Sequence, residues 1–491
     1  MASPSNSELI DLLSEATALG RPLCVSLHGT LVRTDIWWEH LIAILRKRPW
    51  LVFVAPLWLL GGRARFERAV EARSSFDVAT LPYRADLLEA LVAAKDKGRR
   101  IVLSAPGEPK LARQVADHMA IFAEVVAEQS ATTFEQQRAL LVERLGPVGF
   151  DYVGHAAAEQ PLLAAAEKGF LVAAGGLAVG RARALGGKVS VLSKRPSLAR
   201  AVLKVLRVHQ WSKNALVVVP LLLAPGTHSF EQVSAALLAA LAFSLCASSG
   251  YVFNDLIDIE ADRAHHTKHR RPFASGALPA ALGPLVFLAL FGVSFTIALV
   301  ALPLPFSGML AAYFVATMSY SLVLKSKLML DVVVLAGLYT HRVLSGGIAT
   351  GVVISTWLLA FSLFMFSSLA FAKRYIELRH SASKGGQLKS RGYFVEDQVM
   401  VASMGPTAGY MAVLLFCLYI QESNAAAAVY RTPAFLWFIV PVLLYWISRV
   451  WFLAHRGQMQ DDPVKFALTD RRSWACAMLA GTLACAARFW H

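Results

Sequence analysis

Nine apolar segments fill the second half of the chain, and they constrain its fold more than any other feature. The segments lie near residues 214–224, 232–254, 280–301, 304–324, 329–349, 355–375, 398–421, 433–453 and 472–488. An α-helix needs about 20 apolar residues to cross a bilayer. The first segment is short and contains Pro220, while the others approach or reach that length. We therefore predict an all-α polytopic membrane domain of about nine helices over residues 213–491.

The Lys and Arg residues predict the orientation of this domain. They concentrate in the connections after the second, fourth, sixth and eighth apolar segments and are almost absent from the other connections. Connections on the cytoplasmic side of a membrane are rich in Lys and Arg. We therefore expect these connections and the N-terminal part of the chain to face the cytoplasm, in a bacterial-type inner (plasma) membrane.

Residues 1–190 have the pattern of a separate α/β domain. Short apolar runs such as RRIVLSAP alternate with helical patterns such as RADLLEALVAAKDKG, which is typical of a parallel sheet covered by helices. A helical insert, the cap, is predicted between the first two strands near residues 36–80. Its apolar run, RPWLVFVAPLWLLGG, is too short to span a bilayer, so we expect it to rest on the membrane. Residues 191–212 form a basic connector with the pattern of an interfacial helix.

The net charge of +15 indicates anionic partners. Because the basic residues gather beside apolar segments, they favour a lipid bilayer and anionic substrates over nucleic acid. The five cysteines lack the spacing of metal ligands, so they are interpreted as small apolar residues. The sequence is also compatible with a homo-oligomer.

One motif at the end of the second apolar segment breaks the rule that membrane helices avoid charge. In YVFNDLIDIEADRAHHTKHRRPFASG, Asn254, Asp258 and Asp262 recur every four residues, and Asp255 precedes Asp258 by three. On a helix these four side chains share one stripe. Clustered carboxylates beside a membrane need a compensating charge, and Mg²⁺ prefers such oxygen ligands. The alternative is a solvated helix end with ordinary acidic residues.

Basic residues follow these acids at once, namely His265, Lys268, Arg270 and Arg271. Arg and Lys side chains bind phosphate oxygens, and Mg²⁺ bridges carboxylates to phosphates. The motif therefore predicts a diphosphate site in which the three aspartates hold the metal. Asn254, Lys268 and Arg271 are the expected substrate contacts.

Five motifs together resemble a known family. They are RVHQWSKN (207–214), NDLIDIEADRAHHTKHRRPFASG (254–276), YSLVLKSKLMLDVVVLAGLYTHRVLSGGIATG (320–351), AKRYIEL (372–378) and DPVKFALTDR (462–471). The second motif resembles the first Asp-rich motif of the UbiA superfamily of membrane prenyltransferases, whose fold is nine helices around a central cavity. The five motifs in this order are similar to the decaprenyl-phosphate phosphoribosyltransferase branch of that superfamily. The resemblance covers about residues 205–490.

The resemblance implies a second group of site residues. Where aromatic prenyltransferases of the superfamily have another carboxylate-rich motif, this chain has one acid, Asp331, with Tyr320, Lys325 and Arg342. Bases in place of acids suit a substrate with an additional phosphate, such as phosphoribosyl diphosphate. Asp331 and Arg342 are 11 residues apart, close to three helical turns. A purely structural ion pair between them is therefore the alternative.

Two further basic positions match motifs of the same branch. Lys213 lies in the QWxKN pattern and is an expected phosphate ligand, the alternative being a lysine that extends to the membrane interface. Lys373, Arg374 and Tyr375 lie in the KRYxEL pattern and are expected substrate contacts. The alternative for these residues is ordinary positive charge at a cytoplasmic helix end.

The resemblance implies a Mg²⁺-dependent transferase that moves 5-phosphoribosyl from phosphoribosyl diphosphate to a polyprenyl phosphate of the decaprenyl type and releases diphosphate. The expected catalytic residues are Asp255, Asp258, Asp262 and Asp331. One alternative is a UbiA-type prenyltransferase with a prenyl diphosphate and an aromatic acceptor, which the missing second DxxxD motif disfavours. A transporter is the other alternative, and it is disfavoured because the acids cluster at one rim of the membrane.

The segment PLCVSLHGTLVRTD resembles the first motif of haloacid-dehalogenase-type phosphatases, in which two aspartates precede Gly-Thr. Ser26 and His28 stand where those aspartates are expected. The expected hydroxyl is Ala105 or, with a slip of one residue, Ser104, and Gln137 replaces a lysine. GHAAAE also replaces a Gly-Asp-x-x-x-Asp pattern. Because the nucleophile and the metal-binding acids are missing, we expect a catalytically inactive domain.

Overall fold

The computed structural model divides into two compact units, Met1–Val205 with Val252–Val286, and Leu206–Tyr251 with Phe287–His491. The structure describes residues 6–14, 20–34, 38, 41–42, 44, 78–146, 149–193, 197–224, 226–265, 267–382, 392–422, 426, 429–459 and 462–490. The predicted cap near residues 36–80 lies almost entirely outside the described residues. The predicted domain boundaries near residues 190 and 212 stay predictions.

A parallel sheet of six strands forms the centre of the first unit, which confirms the predicted α/β pattern. The strands are β1 (Leu23–Ser26), β2 (Ile101–Ser104), β3 (Glu124–Val126), β4 (Asp151–Gly154), β5 (Gly169–Leu171) and β6 (Val189–Val191). They lie in the order β3-β2-β1-β4-β5-β6. In the central pairings, Leu23 is in register with Ile101 on one side and Asp151 on the other. β1, β2 and β4 are buried along their whole length, as strands of a sheet covered on both faces are.

Among the described residues up to 206, seven α-helices have defined bounds. They are α1 (Asn6–Ser14), α2 (Ala85–Asp96), α3 (Pro109–Met119), α4 (Phe134–Leu145), α5 (Gln160–Ala165), α6 (Gly176–Ala184) and α7 (Leu198–Leu206). Successive residues of a strand face opposite sides of a sheet. Val25 therefore packs in one core with Leu87 of α2, and Cys24 packs in another core with Leu141 of α4.

The rest of the described chain is helical. Its α-helices are α8 (Val219–Leu223), α9 (Phe230–Ile257), α10 (Ile259–Ala264), α11 (Gly283–Ala301), α12 (Leu304–Leu322), α13 (Leu330–Thr350), α14 (Thr356–Ala382), α15 (Gln398–Gln421), α16 (Ile439–His455), α17 (Pro463–Thr469) and α18 (Arg471–Phe489). Short 3-10 helices include Val78–Thr80, Val208–Val217, Lys268–Arg270 and Leu324–Ser326.

Six helical stretches among the described residues are long and apolar enough to cross a membrane. They are Phe230–Ile257, Ala280–Ala301, Leu330–Thr350, Thr356–His380, Val395–Gln421 and Pro433–His455. Helices α12 and α18 form where spans were predicted but are not among these six, and the first predicted segment contains only a 3-10 helix and α8. Six of the predicted spans are thus supported, and the number nine stays a prediction.

Helix α14 organises the second unit, because it packs against α13, α15 and α16. On α13, Gly346 permits a close approach of the backbone. A Cβ atom at this position would lie 2.0 Å from the Val217 carbonyl oxygen, so a larger residue would push the 3-10 helix Val208–Val217 away. This approach brings Lys213 and Asn214, which lie in that 3-10 helix, beside α13.

A buried ion pair connects two strands of the first unit. The Arg99 guanidinium, just before β2, donates to the Asp151 carboxylate at the start of β4 and to the Leu13 carbonyl. The other Asp151 oxygen accepts the Lys168 backbone N–H at 3.0 Å. Both side chains of the ion pair are buried. The carboxylate therefore depends on Arg99 for its compensating charge.

We expect Arg99→Met to destabilise the first unit by about 3–5 kcal/mol, because it leaves a buried carboxylate without its cation. Arg100→Met is the matched control, since the Arg100–Glu124 pair is more exposed and such pairs contribute about 0–1 kcal/mol. Amide hydrogen exchange of β1 and β4 in the full chain, at increasing urea concentration, measures the difference. Equal losses of protection in the two variants would contradict the assigned role of Asp151.

Candidate active site

The acidic motif lies where α9 ends. Helix α9 ends at Ile257 and α10 begins at Ile259, and Asp258 between them has a φ of −91° and a ψ of 12°. The four motif residues are therefore divided between two helices at Asp258, in keeping with the preference of aspartate for helix ends. The backbone hydrogen bonds from Asp258 to Asn254 and from Asp262 to Asp258 persist at 2.9 and 2.8 Å, so the four-residue spacing continues across the break.

Arg271 joins two of the acids. Its Nη1 atom donates to Asp255 Oδ1 at 3.0 Å and to Asp262 Oδ2 at 2.7 Å. Both carboxylates are buried, while the arginine is partly exposed. Burial raises the pKa of the Asp262 carboxyl above its ordinary value, and the Arg271 guanidinium opposes that shift. Lys268 lies nearby in sequence, on an exposed 3-10 turn.

The same two carboxylates form a suitable binding place for a cation. Within the described part of the chain, no three His, Cys, Asp or Glu side chains are arranged to hold a metal ion by themselves. Mg²⁺ in proteins is commonly held by one or two carboxylates plus substrate phosphates and water. The two acids that converge on Arg271 fit that pattern, with the guanidinium as the present cation.

In the second unit, Asp331 pairs with Arg374 and not with Arg342. Asp331 Oδ2 lies 2.5 Å from Arg374 Nε, and the Tyr393 hydroxyl donates to Asp331 Oδ1 at 2.8 Å. Both charged side chains are fully buried. Arg374 also contacts Glu377 on its own helix and donates to the Tyr320 hydroxyl at 3.4 Å. The structural ion pair considered from the sequence therefore forms with a different arginine.

Arg342 has neutral hydrogen-bond acceptors. Its Nε donates to Asn214 Oδ1 at 2.9 Å, its Nη2 to the Tyr313 hydroxyl at 2.9 Å, and its Nη1 to the Leu338 carbonyl at 2.6 Å. The guanidinium carbon also lies 4.8 Å from the ring centre of Tyr313 and 5.3 Å from that of Tyr339. The arginine is thus buried and fixed, with its charge set against aromatic faces and neutral oxygens.

Lys213 pairs with an acid that the sequence interpretation did not place in the site. Its ammonium contacts Asp462 Oδ2, while Asp462 Oδ1 accepts the N–H groups of Val464 and Lys465 at 3.0 and 3.3 Å. Asp462 is therefore both the N-cap of α17 and the counter-ion of Lys213. Burial alone would raise the pKa of this carboxyl, but the Lys213 and Lys373 ammonium groups outweigh it and lower the pKa.

The remaining predicted residues are less closely associated with these clusters. The Tyr375 hydroxyl hydrogen-bonds to His455 Nδ1 at 2.8 Å and its ring packs on Trp451, so Tyr375 belongs to the core of the second unit. Lys325 lies in the 3-10 turn Leu324–Ser326 between α12 and α13. Sequence reasoning missed Asp462 and Tyr393. The Asp-Pro pair at the start of α17 is a pattern that predicts a helix N-cap at Asp462.

In the first unit, the positions that correspond to the phosphatase motifs hold neutral or paired groups. Gln137 donates to the Ser104 hydroxyl at 3.0 Å and to the Val126 carbonyl at 2.7 Å, with both side chains buried. Ser104, and not Ala105, is therefore the hydroxyl that faces Gln137. His28 Nε2 lies 3.1 Å from Glu108 Oε2.

Comparisons with known proteins cover the helical part of the chain and, for one relative, most of its whole length. A family model described as the UbiA prenyltransferase family matches residues 215–477. An uncharacterized protein of Sinorhizobium fredii, y4nM, is 33% identical over 457 residues, covering 92% of this chain and 88% of that protein. The decaprenyl-phosphate phosphoribosyltransferase of Mycobacterium tuberculosis is 29% identical over 288 residues, covering 57% of this chain and 92% of that protein. A solved UbiA homolog from Archaeoglobus fulgidus, bound to GPP and Mg²⁺, has a TM-score of 0.44 and 14% identity, covering 58% of this chain and 97% of that chain.

The region matched by the family model is more than half of the chain. It contains the acidic motif, the Asp331–Arg374 pair and all six candidate membrane spans. The chain is an integral membrane protein that belongs to the UbiA prenyltransferase family.

Proposed function

We propose that this protein transfers 5-phosphoribosyl from phosphoribosyl diphosphate to a polyprenyl phosphate of the decaprenyl type, with release of diphosphate. The observation that carries the proposal is the burial of the Arg342 guanidinium among neutral groups. Arg342 is a buried cation in a membrane helix, and its hydrogen-bond acceptors among the described residues are neutral. A buried charge is costly without an opposite charge, and an anionic substrate group would supply one.

The similarity to the mycobacterial decaprenyl-phosphate phosphoribosyltransferase supports the choice of substrates. The second cluster also supports it, because Asp331 is already neutralised by Arg374 and Tyr393. Because both oxygens of Asp331 already contact Arg374 or Tyr393, this carboxylate is poorly suited to bind a metal ion. We propose instead that Asp331 fixes Arg374, and that the basic side chains of the cluster bind the additional phosphate of the donor.

The proposed reaction exchanges one C–O bond for another. The bond from ribose C1 to the diphosphate breaks with its electron pair on the diphosphate, and an oxygen of the lipid phosphate forms the new bond to C1. The acceptor is already an anion, so no side chain has to remove a proton. Positive charge develops on the ribose ring while negative charge grows on the leaving oxygens, so preorganised cations lower the barrier.

The acidic motif is the proposed binding place for the diphosphate. Asp255 and Asp262 would hold Mg²⁺ together with substrate phosphates, and Asp258 and Asn254 are the predicted additional ligands from the same motif. When bound, the ion neutralises charge on the leaving group. Arg271 keeps two of these carboxylates together, and in our proposal it turns toward the diphosphate with Lys268 when substrate binds. In the second unit, the proposed substrate contacts are Lys213, Lys373 and Tyr320. Lys325 and Tyr375 are further predicted contacts.

Purified protein incubated with phosphoribosyl diphosphate, Mg²⁺ and decaprenyl phosphate should release diphosphate and form a phosphoribosylated lipid, detected by mass spectrometry. Asp258→Asn should lower the rate about a hundredfold or more, because it removes charge from the proposed metal site. Asp258 is the preferred position for this test, because substitution of Asp255 or Asp262 would also remove a hydrogen bond to Arg271. Glu260→Gln is the control, an acid two residues away that we do not assign to the site.

A competing assay with a prenyl diphosphate and an aromatic acceptor separates the two candidate reactions. Diphosphate release only in that assay would favour the prenyltransferase alternative. Uptake of either substrate into vesicles without a new product would favour a transporter. Unchanged phosphoribosyl transfer by Asp258→Asn would remove the acidic motif from the proposed mechanism.

Asp462→Asn should raise the KM for phosphoribosyl diphosphate about tenfold, because it removes the charge that positions Lys213. Asn caps a helix about as well as Asp does, so α17 should remain intact in this variant. Asp462→Ala is the matched comparison, and it should lose a further ~1 kcal/mol of stability with the cap. Steady-state kinetics and thermal unfolding of both variants measure the two effects. A KM equal to that of the wild type in Asp462→Asn would contradict the assignment of Lys213.

We also propose that residues 1–190 have a haloacid-dehalogenase-like fold without phosphatase activity. Ser26 and His28 offer no carboxylate nucleophile, and Gln137 is bound to Ser104 and a backbone carbonyl. The full chain with Asp258→Asn should therefore not hydrolyse p-nitrophenyl phosphate with Mg²⁺ above the uncatalysed rate. Metal-dependent turnover that disappears in Ser26→Ala would contradict this proposal.

A further inference from the structure

The segment that follows β1 ends in a rigid turn. The Arg33 N–H donates to the Pro82 carbonyl and the Arg84 N–H to the Leu31 carbonyl, each at 3.0 Å. The Arg84 side chain adds hydrogen bonds to the Gly29 and Thr30 carbonyls, each at 2.9 Å. The backbone around Arg33 is therefore held in place by the residues before α2.

This turn packs against the loop that follows the acidic motif. Gly276 in that loop has a φ of +70°, and a Cβ atom there would lie 2.6 Å from Arg33 Cβ and 3.4 Å from the Arg33 carbonyl oxygen. The 3-10 helix Val78–Thr80 also lies against α10, the helix that contains Asp262. All of these residues belong to the first unit. The N-terminal part of the chain thus contacts the acidic motif and its loop at two places.

Two side chains hold the same loop close to Arg271. Lys204 on α7 donates to the carbonyl of Arg270, the residue just before Arg271, at 3.0 Å. Arg263 Nε donates to the Ala274 carbonyl at 3.1 Å. Within the loop, Phe273 and Leu278 are fully buried. The loop that brings Arg271 to Asp255 and Asp262 is therefore supported by Lys204, which is far from it in sequence, and by Arg263 of α10.

We propose that the N-terminal domain positions the loop of residues 268–278, and that its contact at Arg33 keeps Arg271 in place for the transfer reaction. Arg33 lies within the eroded phosphatase motif, seven residues after Ser26. In our proposal this part of the domain therefore has a role other than phosphate hydrolysis. The expected effect on the transfer rate rests on the proposed function. The docking of the loop itself does not depend on which group is transferred.

Gly276→Ala in the full chain tests the contact, and Gly351→Ala is the matched control. Both glycines have a φ of +70°, so alanine meets the same backbone strain at either position. Only Gly276 has neighbouring atoms within 4 Å of the added Cβ. Gly276→Ala should increase amide hydrogen exchange over residues 268–278 and lower transfer about tenfold to a hundredfold, because the loop is displaced. Gly351→Ala should change neither quantity.

A second substitution distinguishes positioning from a general loss of structure. Arg33→Gly removes the Cβ atom that an alanine at position 276 would meet, so the double variant should recover most of the exchange protection and of the rate. Lys204→Met gives an independent disturbance without backbone strain, and it should increase exchange around Arg270. It also serves as the test if Gly276→Ala does not fold.

The outcomes separate the inference from the proposed function. If Gly276→Ala and Lys204→Met exchange and react like the wild type, the loop is not positioned by this contact. If exchange increases while transfer is unchanged, docking occurs but has no role in the reaction, and the inference is overturned. If the wild type transfers no phosphoribosyl group, the proposed function is wrong, and the exchange comparison still decides whether the contact holds the loop.

Discussion

The contact of Arg271 with Asp255 and Asp262 is the interaction on which the candidate site depends. Two buried carboxylates at the end of an apolar helix repel each other, and a shared cation makes their proximity tolerable. Because the two carboxylates already face one cation, they are suitably arranged to hold a metal ion that bridges to a diphosphate. Burial raises the pKa of the Asp262 carboxyl because it removes water from the charged form, the neighbouring Asp255 carboxylate adds to this shift, and Arg271 opposes it.

The sequence was sufficient for features that depend on local pattern. Apolar length predicted six spans that the structure supports, and alternating runs predicted the parallel sheet. Of the acids in the motif, Asp255 and Asp262 meet at Arg271. The break at Asp258 was missed, because spacing alone does not reveal a local change of ψ. The Asp331–Arg374 pair was missed for a different reason. Periodicity relates residues of one helix, such as Asp331 and Arg342, whereas Arg374 lies on another helix.

Long-range partners explain the other differences between sequence and structure. Lys213 and Asp462 are 249 residues apart, and no periodic pattern joins them. Gly346 shows how such a pair is built, because its missing side chain lets the 3-10 helix that contains Lys213 reach α13. The QWxKN motif predicts that Lys213 is a phosphate ligand. The counter-ion of Lys213, Asp462, becomes evident only when the helices are packed together in the structure.

Arg374 and Arg342 show why burial by itself does not identify a substrate-binding cation. Arg374 is fully buried, but Asp331 and Glu377 balance its charge, so it orders the helices around α14. Arg342 is bonded only to neutral oxygens among its described hydrogen bonds, so its charge is compensated mainly by polarisable rings and dipoles. Such compensation is weaker than that of a carboxylate at similar distance. An anion that enters beside Arg342 would therefore gain more than one beside Arg374, and for this reason the proposed phosphate contact depends on Arg342.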